Sequence, residues 1–332
     1  MFSNVMKQDL AIDAPLTLRL IESYLTGLVE TQKSNGILLG LSGGIDSSVL
    51  ATIAVKAVGK EHVHVSFLYD RDSEKSSGDK ARTMANWLGV KLETVNISPV
   101  MKKKKVYAPL IMKLVSYSAG FNRMIQYAYC LINRETPFNT SLKVGSQITK
   151  LSWLKRVMFN LSIRHFDRGF SERHIYRRQV LEQKAKKENL TLVGAANLSE
   201  FKVGWFVRNG IDDLPIQPMT GLYKTQVWQL ASYLKLPDEI QSQLASPDMM
   251  LGISDEFGIG HNYRRLDVIF DLIDQQKSDN EIIDCGIDKS ELADVHELMK
   301  YSEWKRASDH EAPPVHGING GNVRLDSNTG DF

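Results

Sequence analysis

A glycine pair flanked by hydroxyls stands where a short apolar run gives way to a helix, in Gly36-Ile-Leu-Leu-Gly40-Leu-Ser42-Gly43-Gly44-Ile-Asp46-Ser47-Ser48. Ile37 to Leu41 read as a buried strand and Asp46 onward as a helix, so the turn between them sits at a helix start. Backbone N–H groups without intrahelical partners converge there with the positive end of the helix dipole, and glycines let the backbone approach a ligand closely. Hydroxyls of Ser42, Ser47 and Ser48 add side-chain donors. The chemistry this predicts is binding of a pyrophosphate group, with Gly40, Ser42, Gly43, Gly44, Ser47 and Ser48 as ATP-binding candidates. The commoner nucleotide loops are excluded, because neither Gly-x-x-x-x-Gly-Lys-Ser/Thr nor Gly-x-Gly-x-x-Gly is present here.

Two further groups complete a reaction centre. Glu200 closes the turn Gly194-Ala-Ala-Asn-Leu-Ser-Glu200. Cleaving ATP between its α and β phosphates builds charge on the leaving pyrophosphate, which a magnesium ion held by Asp46 and Glu200 would neutralise. Asp46 also has a reading as a helix cap, and the two roles are compatible. Lys224 follows the proline-rich loop Leu214-Pro-Ile-Gln-Pro-Met-Thr-Gly-Leu-Tyr in the first turn of a helix. A lysine there opposes the helix dipole, so a phosphate partner explains it better than stability does. As a point charge it would hold the β and γ phosphates and stabilise the reacting α phosphorus.

The elements that must position these groups alternate regularly. A helix over 16–29 precedes strand 37–41, helix 46–58, strand 63–69, helix 77–88 and strand 91–97, and helix 171–188 is followed by strand 190–195. Strands separated by helices imply an α/β fold with a doubly wound parallel sheet, whose ligands gather at the carboxyl ends of the strands. Between 101 and 170 the alternation breaks at Lys102 to Lys105, and helical patterns over 110–132 and 151–166 read as a basic helical insertion. The core then comprises 1–100 and 171–315, with an acidic helical C-terminal region to about Trp304 and a flexible tail at 316–332.

The 332 residues suffice for one large α/β domain with decorations. Net charge is only +2, yet residues 101–187 carry 19 Lys and Arg against four Asp and Glu, a local +15 that leaves −13 for the remainder. Such a segment faces something anionic or is a solvated insertion. Cys130 and Cys285 form neither a zinc spacing nor a disulfide framework, which points to a reducing compartment. With no signal-peptide core and no run long enough to span a membrane, a cytoplasmic protein is expected.

Taken together, the motifs resemble those of one family. Ser42-Gly-Gly-Ile-Asp-Ser47 is similar to the Ser-Gly-Gly-x-Asp-Ser of the ATP pyrophosphatases, whose fold is adenine nucleotide alpha hydrolase-like. Gly194 to Glu200 resembles the Gly-Thr-x-Asn-Lys-Ser-Glu of the NAD synthases, and Pro218-Met-Thr-Gly-Leu-Tyr-Lys224 their Pro-Leu-Thr-Gly-Leu-x-Lys. Farther on, Ser246-Pro-Asp-Met, Ser254-Asp-Glu-Phe-Gly-Ile with Tyr263 and Asp267, and Trp304-Lys-Arg resemble later motifs of that family. The likeness covers about 36–100 and 171–315. It implies a homodimeric, magnesium-dependent ligase that adenylates the nicotinate carboxylate of deamido-NAD and lets ammonia displace AMP. It further implies Ser246 near the phosphates, Arg71 near adenosine, and Arg173 and Arg177 facing the acceptor. The family's ammonium-deprotonating aspartate falls on Ile211 here, so Asp212 or Asp213 would serve with a one-residue slip, and Asp212 is the catalytic candidate. The chain has no room for a fused glutaminase, so nitrogen would come from free ammonia or a separate glutaminase. The basic insertion lies where the family builds part of its acceptor site, so an acceptor other than deamido-NAD is also open.

Two other readings stand beside the ligase. One is a sulfur transferase or RNA-modifying enzyme that also works through an adenylate, and it would want a thiolate near the loop. The other is a nucleotide-binding protein without turnover, which Ile211 favours and the retained Asp46, Glu200 and Lys224 oppose.

Overall fold

The computed structural model describes residues 10–148, 152–248, 251–307 and 310–315; the expected tail over 316–332 lies outside the described residues. Four parallel strands form one sheet: β1 (Ile37–Gly40), β2 (Val63–Tyr69), β3 (Leu92–Asn96) and β4 (Thr191–Leu192), in the order β3-β2-β1-β4. Register runs Ile37 to Val63 on one side of β1 and Ile37 to Thr191 on the other. The apolar run of β1 is buried on both faces, as a covered parallel strand requires. Ile37 and Leu39 join the cluster formed with helices α1 (Ala14–Gln32) and α2 (Ile45–Val58), whereas Leu38 packs with Leu181 and Met101 on the opposite face.

Chain order reverses between β1 and β4, and the crevice at their carboxyl ends is therefore the place where a ligand is held. Helix α1 starts under an Asp13 cap that accepts from the Leu16 N–H, with Pro15 in its first turn. Helix α3 (Lys75–Leu88) connects β2 to β3. Strand β4 is shorter than the expected 190–195. Val193 still donates its N–H to the Leu38 carbonyl of β1, after which the chain turns away and the Gly194 N–H donates to the carbonyl of Ile216.

The basic segment is helical, with two departures from the expected spans. The pattern over 110–132 is broken into α4 (Leu110–Val115) and α5 (Ala119–Asn133), because the Ser118 hydroxyl caps a new start by accepting from the Phe121 N–H. The patterns over 151–166 and 171–188 are instead one rod. Helix α6 (Trp153–Met158) passes through a π-helical turn (Phe159–Ile163) into α7 (Arg164–Glu188) without a break. Gly169 does not interrupt α7; a Cβ there would lie 3.3 Å from the Met112 methyl, so the glycine admits close packing instead. Helices from α8 (Asp255–Ile259) and α9 (Tyr263–Asp274) to α10 (Lys289–Ser302) build a separate apolar cluster centred on Tyr263, Phe270 and Val295.

Candidate active site

The turn after β1 is held by its own serines. Ser42 Oγ lies 3.0 Å from Ser47 Oγ and accepts from the Gly44 N–H, while Ser47 and Ser48 hydroxyls donate to the Gly44 carbonyl. Gly43 is needed outright: its φ is +81°, and a Cβ would stand 2.4 Å from the Ser77 carbonyl oxygen at the start of α3. Gly44 occupies the cap position of α2 and supplies no side chain, so the N–H groups of the helix's first turn are left for a ligand. Asp46 is therefore not the cap; its carboxylate is used elsewhere.

That use is an ion cluster across the switch point. Lys224 Nζ is 2.5 Å from Asp46 Oδ2 and 3.2 Å from Glu200 Oε1, and Asn197 Nδ2 donates to the other Asp46 oxygen at 2.9 Å. Lys224 is 1% exposed, so its ammonium is held inside the fold and not at the surface. Its helix, Lys224–Tyr233, is anchored at the backbone: Ser199 Oγ accepts the Lys224 N–H and Asp267 accepts that of Thr225. Burial lowers the ammonium's proton affinity, but Asp46 and Glu200 more than offset it and hold Lys224 well above an ordinary lysine. Burial also pushes Glu200 up to about 8 against the pull of Lys224, and Asp255 up to about 6. Among the described residues no group of three or more His, Cys, Asp or Glu is arranged to hold a metal by itself. Asp46 and Glu200 are instead the two-carboxylate set suited to a magnesium ion that takes its remaining oxygens from phosphates and water.

This cluster forms one end of a cavity of about 510 Å³. The wall beyond it is aromatic, with Phe138, Phe170, Trp205 and Phe206, and Phe138 meets Trp205 edge-on at 4.6 Å. A second polar set lies there. Ser141 Oγ is 2.8 and 2.7 Å from the two Asp167 oxygens, burial pushes Asp167 up to about 6, and burial lowers Lys305 to about 8. His174 Nδ1 is 2.6 Å from Asp212 Oδ2, and both line the cavity. Burial would raise the Asp212 carboxyl, but His174 outweighs it and the net shift is downward.

Most of the expected residues reach this space. Gly40, Ser42, Gly44, Asp46, Ser47, Arg177, Glu200, Asp212, Lys224 and Ser246 line it. Four do not. Gly43 is behind the loop on α3, and Ser48 is fully buried with its hydroxyl on the Gly44 carbonyl, so both shape the turn from behind. Arg71 turns outward, forks onto Asp72 at 2.7 and 3.1 Å, and lies 4.1 Å over the Tyr107 ring. Arg173 is fully buried and paired with Asp70 and Asp72, which makes it part of the framework and not of the acceptor wall. Arg177 does face the cavity, 3.3 Å from Asp248.

Near the displaced position, Ile211 lines the cavity against Gly40, Asp213 is buried on His310 at 2.9 Å, and of the two aspartates Asp212 is the one that lines the cavity. Residues missed from sequence are Asn197, Asp255, His174, Asp167 and Phe138. The first two stand inside the motifs quoted above and were legible there; the other three had no local signal. The thiol requirement of sulfur transfer is not met: neither cysteine lines the cavity, and burial raises the Cys130 thiol.

With this geometry in place, comparison with known proteins is informative. The family model for NAD synthase matches residues 17–116 and 163–309. An NH(3)-dependent NAD(+) synthetase of Coprothermobacter proteolyticus is 31% identical over 265 residues, covering 79% of this chain and 86% of that protein. One of Thermotoga maritima is 27% identical over 285 residues, covering 86% and 94%. Among solved structures, an NMN synthetase from Francisella tularensis has a TM-score of 0.62 at 20% identity, covering 89% of this chain and 97% of that one. An NH3-dependent NAD synthetase from Campylobacter jejuni has a TM-score of 0.57 at 18% identity, covering 89% and 96%. Both share the fold. Residues 117–162 lie outside the family match, and five of them, including Phe138 and Ser141, line the cavity.

Proposed function

Because this chain belongs to the NAD synthase family, we propose that it is an ATP-dependent C–N ligase that adenylates the nicotinate carboxylate of deamido-NAD and transfers ammonia to it. The observation that carries this reading is Lys224, buried between Asp46 and Glu200 at the sheet's switch point. A protein that only binds a nucleotide has no need to bury a lysine between two acidic side chains at that point.

The chain's own groups divide the work. First-turn N–H groups of α2 and the Ser42 hydroxyl receive the β and γ phosphates, and Lys224 supplies a fixed positive charge where the α phosphorus is attacked. Held by Asp46 and Glu200, magnesium would neutralise the charge that grows on the departing pyrophosphate. The aromatic wall excludes water from the acyl adenylate, which otherwise hydrolyses. Ammonia as donor is supported by the names of the relatives, with a separate glutaminase as its possible source. A homodimer is supported by the exposed apolar row Met124, Tyr127 and Leu131 on α5. The unpaired Cys130 and Cys285 support a cytoplasmic location, and no helix among the described residues is long and apolar enough to cross a membrane.

The test is pyrophosphate release from ATP and magnesium with deamido-NAD, with and without ammonium, followed by NAD detection. Ammonium-dependent NAD formation is expected. Pyrophosphate release only with a different carboxylic acid would keep the ligase and replace its acceptor.

A further inference from the structure

The ligase reading, on which this inference rests, leaves a proton unaccounted for. Ammonium has no free electron pair and must lose a proton before its nitrogen can attack a carbonyl. A base inside the cavity is therefore required, and the carboxylates there are mostly engaged. Asp46 and Glu200 hold Lys224, Asp248 faces Arg177 and Ser73, and Asp167 sits on the Ser141 hydroxyl. Asp212 is turned onto His174. Nδ1 of the imidazole lies 2.6 Å from Asp212 Oδ2, a close charge contact without an aligned hydrogen bond, and both residues line the cavity.

We propose that His174, oriented by Asp212, is the base that takes the proton from ammonium as the nitrogen attacks the acyl adenylate. Nε2 accepts that proton, and the freed electron pair forms the C–N bond. The C–O bond to AMP then breaks with its electrons on the phosphate oxygen, and the adduct's second proton leaves to water. The geometry is that of an imidazole in contact with a carboxylate: Asp212, 2.6 Å from Nδ1, stabilises the imidazolium as it forms. Phe170 stacks on the ring at 6.0 Å, and Gly210 leaves it room, since a Cβ there would stand 2.8 Å from the His174 Cβ. The charged groups around the pair are Arg177 one turn along α7, Asp167 two turns back, and Lys305 and Arg208 among the cavity's lining residues, with Asp213 buried beside Asp212 on His310. Arg177, Lys305 and Arg208 oppose the imidazolium, and the adjacent Asp212 favours it.

The experiment compares His174→Ala and His174→Gln with the unaltered enzyme, using deamido-NAD with ammonium chloride or with hydroxylamine, which carries a free electron pair at neutral pH. Isotope exchange of pyrophosphate into ATP is followed in parallel as the record of adenylation and folding. At about pH 7 both variants are expected to lose about 10²-fold in kcat/KM for ammonium, well beyond any loss of exchange. The loss shrinks at least about tenfold near pH 9, where more free ammonia is present, and hydroxylamine turnover falls far less. Asp212→Asn should move the acid limb of the ammonium profile to lower pH, because the imidazolium loses its partner. Equal losses with both nucleophiles, or a loss unchanged by pH, would overturn the assignment. If the unaltered enzyme shows no pyrophosphate exchange with deamido-NAD, the ligase reading itself fails and the assignment falls with it.

Discussion

A lysine buried between two carboxylates is costly to assemble, since each charge gives up hydration that the pairing only partly returns. Lys224→Met should therefore fail twice. Pyrophosphate release should slow by about 10²–10³, the scale of losing one charge aimed at a transition state. Thermal unfolding should show a loss of about 3–5 kcal/mol, because Asp46 and Glu200 are left unpaired. Asp167 behaves in the opposite sense. Burial raises its carboxyl to about 6 from 3.8, so between those pH values the folded protein keeps a proton that the unfolded chain has released. Stability contributed by this group is full below about pH 4 and falls as pH rises through about 6. Asp167→Asn should thus raise the unfolding free energy at neutral pH by up to about 3 kcal/mol, seen as a higher melting temperature, and have little effect near pH 4. Legibility at this scale follows from locality. Asp46, Glu200 and Lys224 were readable because each sat in a turn whose own chemistry asked for it. Arg173 was not, because its partners Asp70 and Asp72 come from β2's end and nothing in α7 announces them, while Arg71 turns outward onto its own neighbour Asp72. His174 looked like any other helical histidine until Asp212 was folded against it.

At the scale of elements, the glycine turn between β1 and α2 is bound to the start of α3. Gly43→Ala would force a side chain into left-handed backbone, costing about 1–3 kcal/mol, and would press on the Ser77 carbonyl. We expect a lower melting temperature and loss of ATP binding by calorimetry, whereas Gly27→Ala, a helical site with open space around its Cβ, should be neutral or slightly stabilising. The alternating strands and helices were legible because both sheet faces are buried and the apolar runs are short and continuous. What the pattern obscured was the end of β4, where close approach of Gly194 to Gln217 turns the chain aside.

Across the whole molecule, the phosphate end of the cavity comes from segments matched by the family, while residues 117–162 bring Phe138 and Ser141 to the other end. Phe138→Ala should therefore raise KM for the acceptor about tenfold, roughly 1.4 kcal/mol, and leave KM for ATP nearly unchanged in steady-state assays. The charge asymmetry was visible in the sequence; that its helices supply a cavity wall was not, because that depends on Pro137–Ser146 packing against α8 and α10. The unbroken rod from Trp153 to Glu188 has a mechanical consequence. At about 1.5 Å per residue it is on the order of 50 Å long, and it carries Phe166, Phe170, His174 and Arg177 along one side of the cavity. Wall and reactive imidazole thus share a single lever. An acceptor that displaced the rod would move His174 with it, so oversized carboxylates are expected to lose more in kcat than in KM when compared in steady-state assays.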